Sequence, residues 1–311
     1  MTPLRVAIVV LNWNSAQDTI ECLASVSRSG GSCFTTVVAD NGSTDGSLAT
    51  IAVRYPGVEL LKTPSNLGYA GGNNKAVHAL KEEEFQWFLL LNPDTTLASR
   101  CLTDLLAVAE SDPSIAVVGP TIYHASEPNT IQSAGGVIGQ AGVLVHRGAN
   151  EVDRGQYAYP EDVDWVSGCA LMVRGRAFAA LQGFDERFFM YGEEVDLCAR
   201  ARGAGYRIVH VPAAKVWHKG VSRTYNPPPY VTYYSTRNQF LFLGKNFRGG
   251  RRVCAIAAAW ARETRTLAAH SIKPRYRHLR YHRNARALAL VDVLRRRWGQ
   301  KVAPPAWFFT R

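Results

Sequence analysis

The side chains best placed to do chemistry in this chain are acids that follow apolar runs. Asp94 sits just past WFLLLN (87–92), in the turn Asn92-Pro93-Asp94. A carboxylate there can hold a hard divalent cation, which in turn holds phosphate oxygens. NPDT is also a good turn, so a purely conformational role is the alternative. His218, in VWHKG, offers an imidazole that would complete a metal site with Asp94, or else serve as a structural histidine. In FFMYGEEVDLCARARGAGYRI three carboxylates fall within four residues at a helix start. Helical spacing puts Glu193, Asp196 and Arg200 on one face and Glu194, Leu197, Cys198 and Ala201 on another. Glu194 therefore heads an apolar, inward-turned face, where desolvation raises its pKa and makes it a better general base. The helix N-terminus pulls the other way, and an acidic first turn placed only for that dipole is the alternative.

A Gly-rich stretch, NLGYAGGNN (66–74), lacks both the dinucleotide and the P-loop patterns. Gly71 and Gly72 allow close backbone approach at a helix start, where amide groups favour phosphate. Taken with Asp40, Asp94 and His218, it points to a bound nucleoside diphosphate.

The elements that must position these groups alternate. LRVAIVVL (4–11), FTTVVA (34–39), VELL (58–61), WFLLLN (87–92) and IAVVG (115–119) read as buried strands. Helical segments lie between them: one opening at Asp18, one capped by Ser43 or Thr44 and running to about Arg54, one from about Gly71 to Glu83, and one near 99–110. This βα repetition predicts an α/β fold with a mostly parallel sheet flanked by helices. Asn12, Asn14, Asp40, Asn41, Asn92 and Asp94 recur just past strand ends, the edge where open sheets bind ligands. Residues 130–147 suggest a hairpin, 165–173 a strand, 175–181 a helix, a further helix begins near Glu193, and YRIVHVP is a strand. The break YNPPP (225–229) precedes helices at about 230–247 and 253–269.

Composition is ordinary for a globular chain of 311 residues, with 47% hydrophobic and 20% charged residues, which argues against disorder, collagen and a coiled-coil rod. No apolar run approaches 18 residues, and the start reads as a strand rather than a signal peptide. Cysteines at 22, 33, 101, 169, 198 and 254 form no CxxC, so buried free thiols in a cytoplasmic protein are expected. The net charge of +11 is unevenly spread: residues 1–244 carry 19 Lys+Arg against 23 Asp+Glu, and residues 245–311 carry 17 against 2. A basic helical surface, an anionic-lipid contact and a nucleic-acid contact are the readings of that region; few aromatics alternate with its arginines, which weakens the last.

At this point a resemblance emerges. VAIVVLNWNSAQDTIECLASV (6–26), DNGSTDGS (40–47), NLGYAGGNN (66–74), LLLNPDT (89–95), GCALMVRGRAF (168–178), GFDERFFMYGEEVDLCARARGAGYRI (183–208) and WHKG (217–220) together resemble a family 2 glycosyltransferase of GT-A fold, of the bacterial rhamnosyltransferase-like branch. YYSTRN (233–238) resembles the region that follows the catalytic part in that branch. The resemblance implies a catalytic domain over 1–224, with the nucleotide-sugar half in 1–120 and the acceptor and base half in 121–224. A basic, mainly helical region over 225–311 would serve acceptor, membrane or oligomer contacts. It implies inverting transfer from a nucleotide sugar, dTDP-L-rhamnose or another deoxysugar first and a UDP-sugar second. The acceptor would be a hydroxyl of a glycan, lipid-linked or small-molecule substrate.

Carried onto this sequence, Asp40 would meet the pyrimidine N3–H, with Asn12 and Asn14 nearby. Asn66, Gly72 and Asn73 would line the donor pocket. Asn92-Pro93-Asp94 would stand for the DxD-type motif, with Asp94 and His218 holding Mg2+ or Mn2+. Glu194 would be the base, Glu193 the alternative. Trp165, Gly168, Glu193, Asp196, Arg237 and Asn238 are acceptor-side candidates. Two departures stand out: Asn92 replaces the first acid of the motif, and the base position carries Glu where Asp is usual, displacing the carboxylate by roughly 1.5 Å unless the backbone compensates. Two rival readings fit the sequence less well. A nucleotidyltransferase would need a Gly-rich start with basic residues where Asn12-Trp13-Asn14-Ser15 stands. A non-enzymatic nucleic-acid-binding protein would leave the acidic cluster without a task.

Overall fold

The computed structural model describes residues 5–29, 34–81, 84–220 and 227–309. Cys33 and the expected boundary at 224/225 lie outside the described residues. Along the chain run β1 (Val6–Asn12), α1 (Ala16–Arg28), β2 (Phe34–Asp40), α2 (Ser47–Arg54), β3 (Glu59–Lys62), α3 (Gly68–Ala79) and β4 (Trp87–Leu91). Next come β5 (Thr95–Leu97), α4 (Cys101–Ala109), β6 (Ile115–His124), β7 (Glu127–Ser133), β8 (Gly136–Ile138), β9 (Leu144–His146), β10 (Glu161–Asp162), β11 (Ala170–Arg174), α5 (Gly175–Ala180), α6 (Glu193–Gly203) and β12 (Arg207–His218). The helices α7 (Pro229–Asn246), α8 (Gly249–Ile272) and α9 (Arg280–Leu294) follow.

The central sheet has the order β10-β12-β6-β11-β4-β1-β2-β3. Strands β3, β2, β1 and β4 pair parallel, and β12 pairs parallel with β6. Strand β11 enters antiparallel between β4 and β6. The sheet is thus mostly parallel, as the βα repetition predicts. The direction of β11 was illegible because an apolar run fully buried on both faces carries no sign of its polarity. Its strand begins only at Ala170, so 165–169 is loop, while β6 extends five residues past the predicted Gly119.

Alternation along β1 feeds two cores. Ala7, Val9 and Leu11 face one apolar layer, and Val6, Ile8 and Val10 face the other. The first layer is shared with the basic region: Phe240, Phe242, Leu243, Ala255 and Leu290 pack in the same cluster as Val195 and Leu197. Helices α7–α9 therefore complete the core that carries α6. Part of the aromatic end of the chain is also spent on packing. Phe308 is buried among Tyr230, Tyr233 and Tyr234, and Trp307 stacks on Tyr281, so Phe309 alone of the three is exposed.

Among the described residues no helix is long and apolar enough to cross a membrane. Cys22, Cys101, Cys169 and Cys198 are buried free thiols, each with its pKa pushed up to about 12 by burial, and Cys254 is exposed.

Candidate active site

The carboxyl ends of β1, β2 and β4 meet as predicted. Asn12 and Asp40 are register partners at the ends of β1 and β2, and Asn12 Nδ2 donates to Asp40 Oδ1 at 2.8 Å. The other carboxylate oxygen accepts from Ser43 N at 3.2 Å. Asn14 Oδ1 accepts from Thr44 N at 2.8 Å, which ties the exposed turn after β2 to the end of β1. Asp40 is fully buried under this turn, each carboxylate oxygen accepting one of these bonds. Neither Ser43 nor Thr44 caps α2. Its N-cap is Gly46, with φ +82°, because the turn residues are committed to the Asn12–Asn14 segment.

Asn41, unassigned by the sequence reading, joins this edge to the Gly-rich loop. Its Nδ2 donates to Gly68 O at 2.9 Å and Asn66 Oδ1 at 3.1 Å, and its Oδ1 accepts from Leu67 N at 3.0 Å. Asn66 is half-buried and also closes the turn onto Gly68 N at 2.8 Å. The loop itself needs correction. Helix α3 starts at Gly68, so Gly71 and Gly72 lie inside it rather than at its open end. A Cβ on Gly72 would stand 2.7 Å from Leu11 Cδ1 and 3.1 Å from Asn41 Nδ2, so glycine there lets the helix lie against β1. Asn73 is fully buried and donates to Tyr69 O, with its Oδ1 unpartnered. Gly72 and Asn73 are thus both buried in the packing of α3. The first turn of α3 meets the carbonyl of Phe189, to which Ala70 N donates at 3.2 Å.

Asn92-Pro93-Asp94 is a half-buried turn fixed at its start by Asn92 N donating to Cys169 O at 2.9 Å. Asp94 Oδ1 lies 3.2 Å from Nε2 of His218, the last residue of β12. Gln132 Oε1, from β7, accepts from His218 Nδ1 at 3.1 Å, which turns Nε2 toward Asp94. Burial pushes the Asp94 pKa up, but the His218 hydrogen bond and charge, the backbone and Lys219 together hold it below the usual carboxylate value. Lys219 is braced by Asp18 at 2.9 Å and by Glu21. Among the described residues no group of three or more His, Cys, Asp or Glu is placed to hold a metal. Asp94 and His218 are two side chains that could hold a divalent cation whose remaining positions went to phosphate oxygens and water.

Glu193 and Glu194 open α6 after a loop with positive φ at Phe189 (66°), Tyr191 (68°) and Gly192 (96°). Glu194 is half-buried, accepts from Gly192 N at 3.1 Å and lines a cavity of about 490 Å³. Glu193 is 4% exposed, and its Oε2 has no partner. Burial raises the pKa of both, and for Glu193 the neighbouring Glu194 charge adds to it. Desolvation thus outweighs the helix N-terminus, and Glu194 faces open space. The face carrying Glu193 and Asp196 is not solvated either. Fully buried Asp196 pairs with Arg200 at 2.8 Å and Lys245 at 2.9 Å and accepts from Asn246, which removes it from the acceptor side.

Two further acceptor candidates are also committed elsewhere. Arg237 is buried, donating to the carbonyls of Gly299, Arg187 and Phe188 and to Asn238 Oδ1. Asn238 lines the cavity, but its Nδ2 is spent on the carbonyls of Phe188, Met190 and Tyr191. Together they clamp the loop that delivers Glu194. Trp165 lines the cavity edge-on to His146, its centroid 4.6 Å away, and lies over the bare backbone of Gly136. Gly168 O accepts from Tyr69 OH at 2.5 Å, and a Cβ on Gly168 would sit 3.6 Å from Glu194 Cβ.

Residues 7–177 match Glycosyl transferase family 2. The chain is 30% identical over 260 residues to the N-acetylglucosaminyl-diphospho-decaprenol L-rhamnosyltransferase of Mycobacterium tuberculosis (strain ATCC 25618 / H37Rv), covering 78% of this chain and 85% of the relative. It is similar in fold to the mannosyltransferase PcManGT of Pyrobaculum calidifontis in complex with GDP-Man and Mn2+, with a TM-score of 0.58 at 15% identity over 93% of this chain and 87% of that one. S. aureus TarS 1-349 in complex with UDP-GlcNAc gives a TM-score of 0.58 at 15% identity over 93% and 82%. With the family match spanning more than half of its length, the chain belongs to glycosyl transferase family 2 and is a glycosyltransferase.

Proposed function

We propose that this glycosyltransferase moves L-rhamnose, or another deoxysugar, from a dTDP-linked donor to a hydroxyl of a glycan, lipid-linked or small-molecule acceptor, with inversion. The observation that carries the reading is the placement of Asp94 beside His218 at the sheet's carboxyl edge, with Glu194 open to a separate cavity. The donor sugar is supported by the name of the mycobacterial relative. A UDP-sugar is the second reading, since the Asp40 carboxylate accepts equally from the N3–H of uracil.

Glu194 removes the acceptor's hydroxyl proton as that oxygen bonds to the anomeric carbon and the bond from that carbon to the diphosphate breaks. One displacement from the opposite face inverts the centre, and the dTDP leaves with the bonding pair. Asp94 and His218 would hold Mg2+ or Mn2+, which supplies positive charge against the departing diphosphate. The neighbouring Lys219 adds a fixed positive charge on the same side.

We place the enzyme in the cytoplasm, with the basic C-terminal region toward an anionic membrane surface. Exposed Val253, Ile272, Leu294 and Phe309 accompany its arginines, each of which contributes about 1 kcal/mol near such a surface. The test is isothermal titration with dTDP, UDP and GDP, with and without Mn2+. Metal-dependent binding of dTDP above UDP, with GDP excluded, is expected. Failure of every diphosphate to bind folded protein would remove the donor reading.

A further inference from the structure

The cavity at Glu194 extends away from the sheet to helices α7–α9, where its wall becomes charged. Arg262 and Glu263 come from α8 and Arg286 from α9. Glu263 is 6% exposed, and each of its oxygens is already taken: Oε1 by Arg262 Nε at 3.2 Å, Oε2 by Arg286 Nη1. Arg262 Nη2 donates to Gln239 Oε1, and Arg286 Nη1 also stands 3.5 Å from Thr236 Oγ1. Arg286 Nε is buried without a partner.

Two guanidinium groups therefore share one carboxylate, leaving one positive charge in surplus in a partly desolvated wall. Burial, and then the charge of Arg262, lower the Arg286 pKa, and burial lowers that of Arg262, so both cations are disfavoured as the site stands. The remaining titratable groups on this cavity do not offset the surplus. Burial holds His146 neutral, with a pKa of about 4, and Glu194 belongs to α6 and pairs with neither arginine. A single Arg–Glu pair would have satisfied the fold. An unbalanced cation beside a cavity is costly unless an anion completes it. A neutral sugar supplies hydroxyls but no charge. A phosphate supplies both charge and oxygens spaced for guanidinium forks.

We propose that the α8–α9 end of this cavity is a subsite for a phosphate or diphosphate carried by the acceptor, bound by Arg262 and Arg286 so that the acceptor's hydroxyl lies at Glu194. The proposal rests on the transfer reading above. The volume of about 490 Å³ accommodates a sugar ring between the two ends.

The experiment is titration of inorganic pyrophosphate into enzyme already saturated with dTDP and Mg2+. One further equivalent is expected to bind. Arg262→Gln and Arg286→Lys each weaken that binding roughly tenfold or more, with dTDP affinity unchanged. Arg262→Gln leaves a balanced Arg286–Glu263 pair, so its Tm is expected to be unchanged or higher, which separates lost binding from lost folding. Absence of the second equivalent at millimolar pyrophosphate, or equal binding in both variants, overturns the proposal. Failure of dTDP itself to bind overturns the transfer reading instead.

Turnover then separates the sources of the phosphate. Preference for an alkyl glycosyl diphosphate assigns it to a lipid-linked acceptor, and preference for a sugar 1-phosphate assigns it to a soluble one. An uncharged alkyl glycoside used as well as both overturns the subsite.

Discussion

Glu193 and Glu194 are adjacent on the first turn of α6, yet only Glu194 lines the cavity; Glu193 is 4% exposed with an unpartnered oxygen. Two carboxylates this close resist simultaneous ionisation. Burial raises the pKa of both, and the base role we propose goes to Glu194 because it is the one that faces the cavity. Glu194→Gln is expected to lower kcat by roughly a hundredfold to ten-thousandfold while dTDP affinity stays the same. Glu193→Gln is expected to keep most of the turnover. Steady-state kinetics with parallel dTDP titration decides between them, and the reverse pattern would transfer the base role to Glu193.

The pH profile follows from the same pair. Burial raises the Glu194 pKa above the ordinary 4.5. A base must be ionised to accept a proton, so activity falls as pH drops through that raised value. The acid limb of kcat/KM is expected above the usual glutamate range. Placing the limb at or below 4.5 would mean that burial is offset in solution.

Stability carries the opposite sign for Glu193. Its folded pKa lies well above its unfolded value, so the folded state binds more protons between the two. The contribution of Glu193 to folding stability is then fully present below about pH 4.5 and is lost as pH rises through the folded pKa. Glu193→Gln removes this loss. At pH 8 the variant is expected to melt at or above the parent temperature, and at pH 4 the advantage disappears. Thermal melts at both values test it, and a variant less stable at pH 8 would mean that Glu193 is ionised and compensated in the folded protein.

Gln132 was invisible in the sequence because nothing on β7 marks it, and its role appears only once β7 and the end of β12 pair with the same stretch of β6. It accepts from His218 Nδ1 and so aims Nε2 at Asp94. Gln132→Leu is expected to weaken Mn2+-dependent dTDP binding by roughly 10–100-fold, with metal-independent dTDP binding unaltered. Titration in the presence and absence of Mn2+ separates the two quantities. Equal losses in both would make Gln132 a general packing residue.

Much of the site was legible because it lies at strand ends, and buried strands announce themselves as apolar runs. Asn12, Asp40 and Asp94 were located that way, and helical spacing separated Glu194 from Glu193. What failed was local spacing read without tertiary context. Gly71 and Gly72 looked like a phosphate loop, but both lie within α3, where Gly72 lets the helix meet Leu11 of β1 and Asn41, and Gly71 faces Leu67 and Glu186. Asp196 and Arg237 looked available because they are polar and near the motif. Asp196 is enclosed by Lys245 and Asn246 from α7, and Arg237 by carbonyls of the 187–188 segment and Gly299. The cavity's charged end was illegible for a similar reason. Arg262, Glu263 and Arg286 belong to an arginine-rich stretch in which a surface and a binding wall have the same composition.

The clamp on the loop before Glu194 gives a last test of how the C-terminal helices serve catalysis. Asn238 Nδ2 reaches three carbonyls, those of Phe188, Met190 and Tyr191, at 2.7–2.9 Å. These residues span the two positive-φ positions Phe189 and Tyr191, whose backbone is strained unless held. Asn238→Ala removes this donor from the Met190 and Tyr191 carbonyls, while Phe188 O keeps Arg237 and Met190 N, at a cost of about 1–3 kcal/mol. The loop is then free to relax, and Glu194 moves with it. Because the donor site is built on β1, β2 and β4, dTDP affinity is expected to stay at the parent value while kcat falls. A base displaced by about 1 Å can cost a hundredfold. Asn238→Asp retains carboxamide-like size but not the donor, so it should fail with the alanine variant. Loss of dTDP binding in step with kcat would instead indicate that the clamp supports the whole sheet edge rather than the base alone.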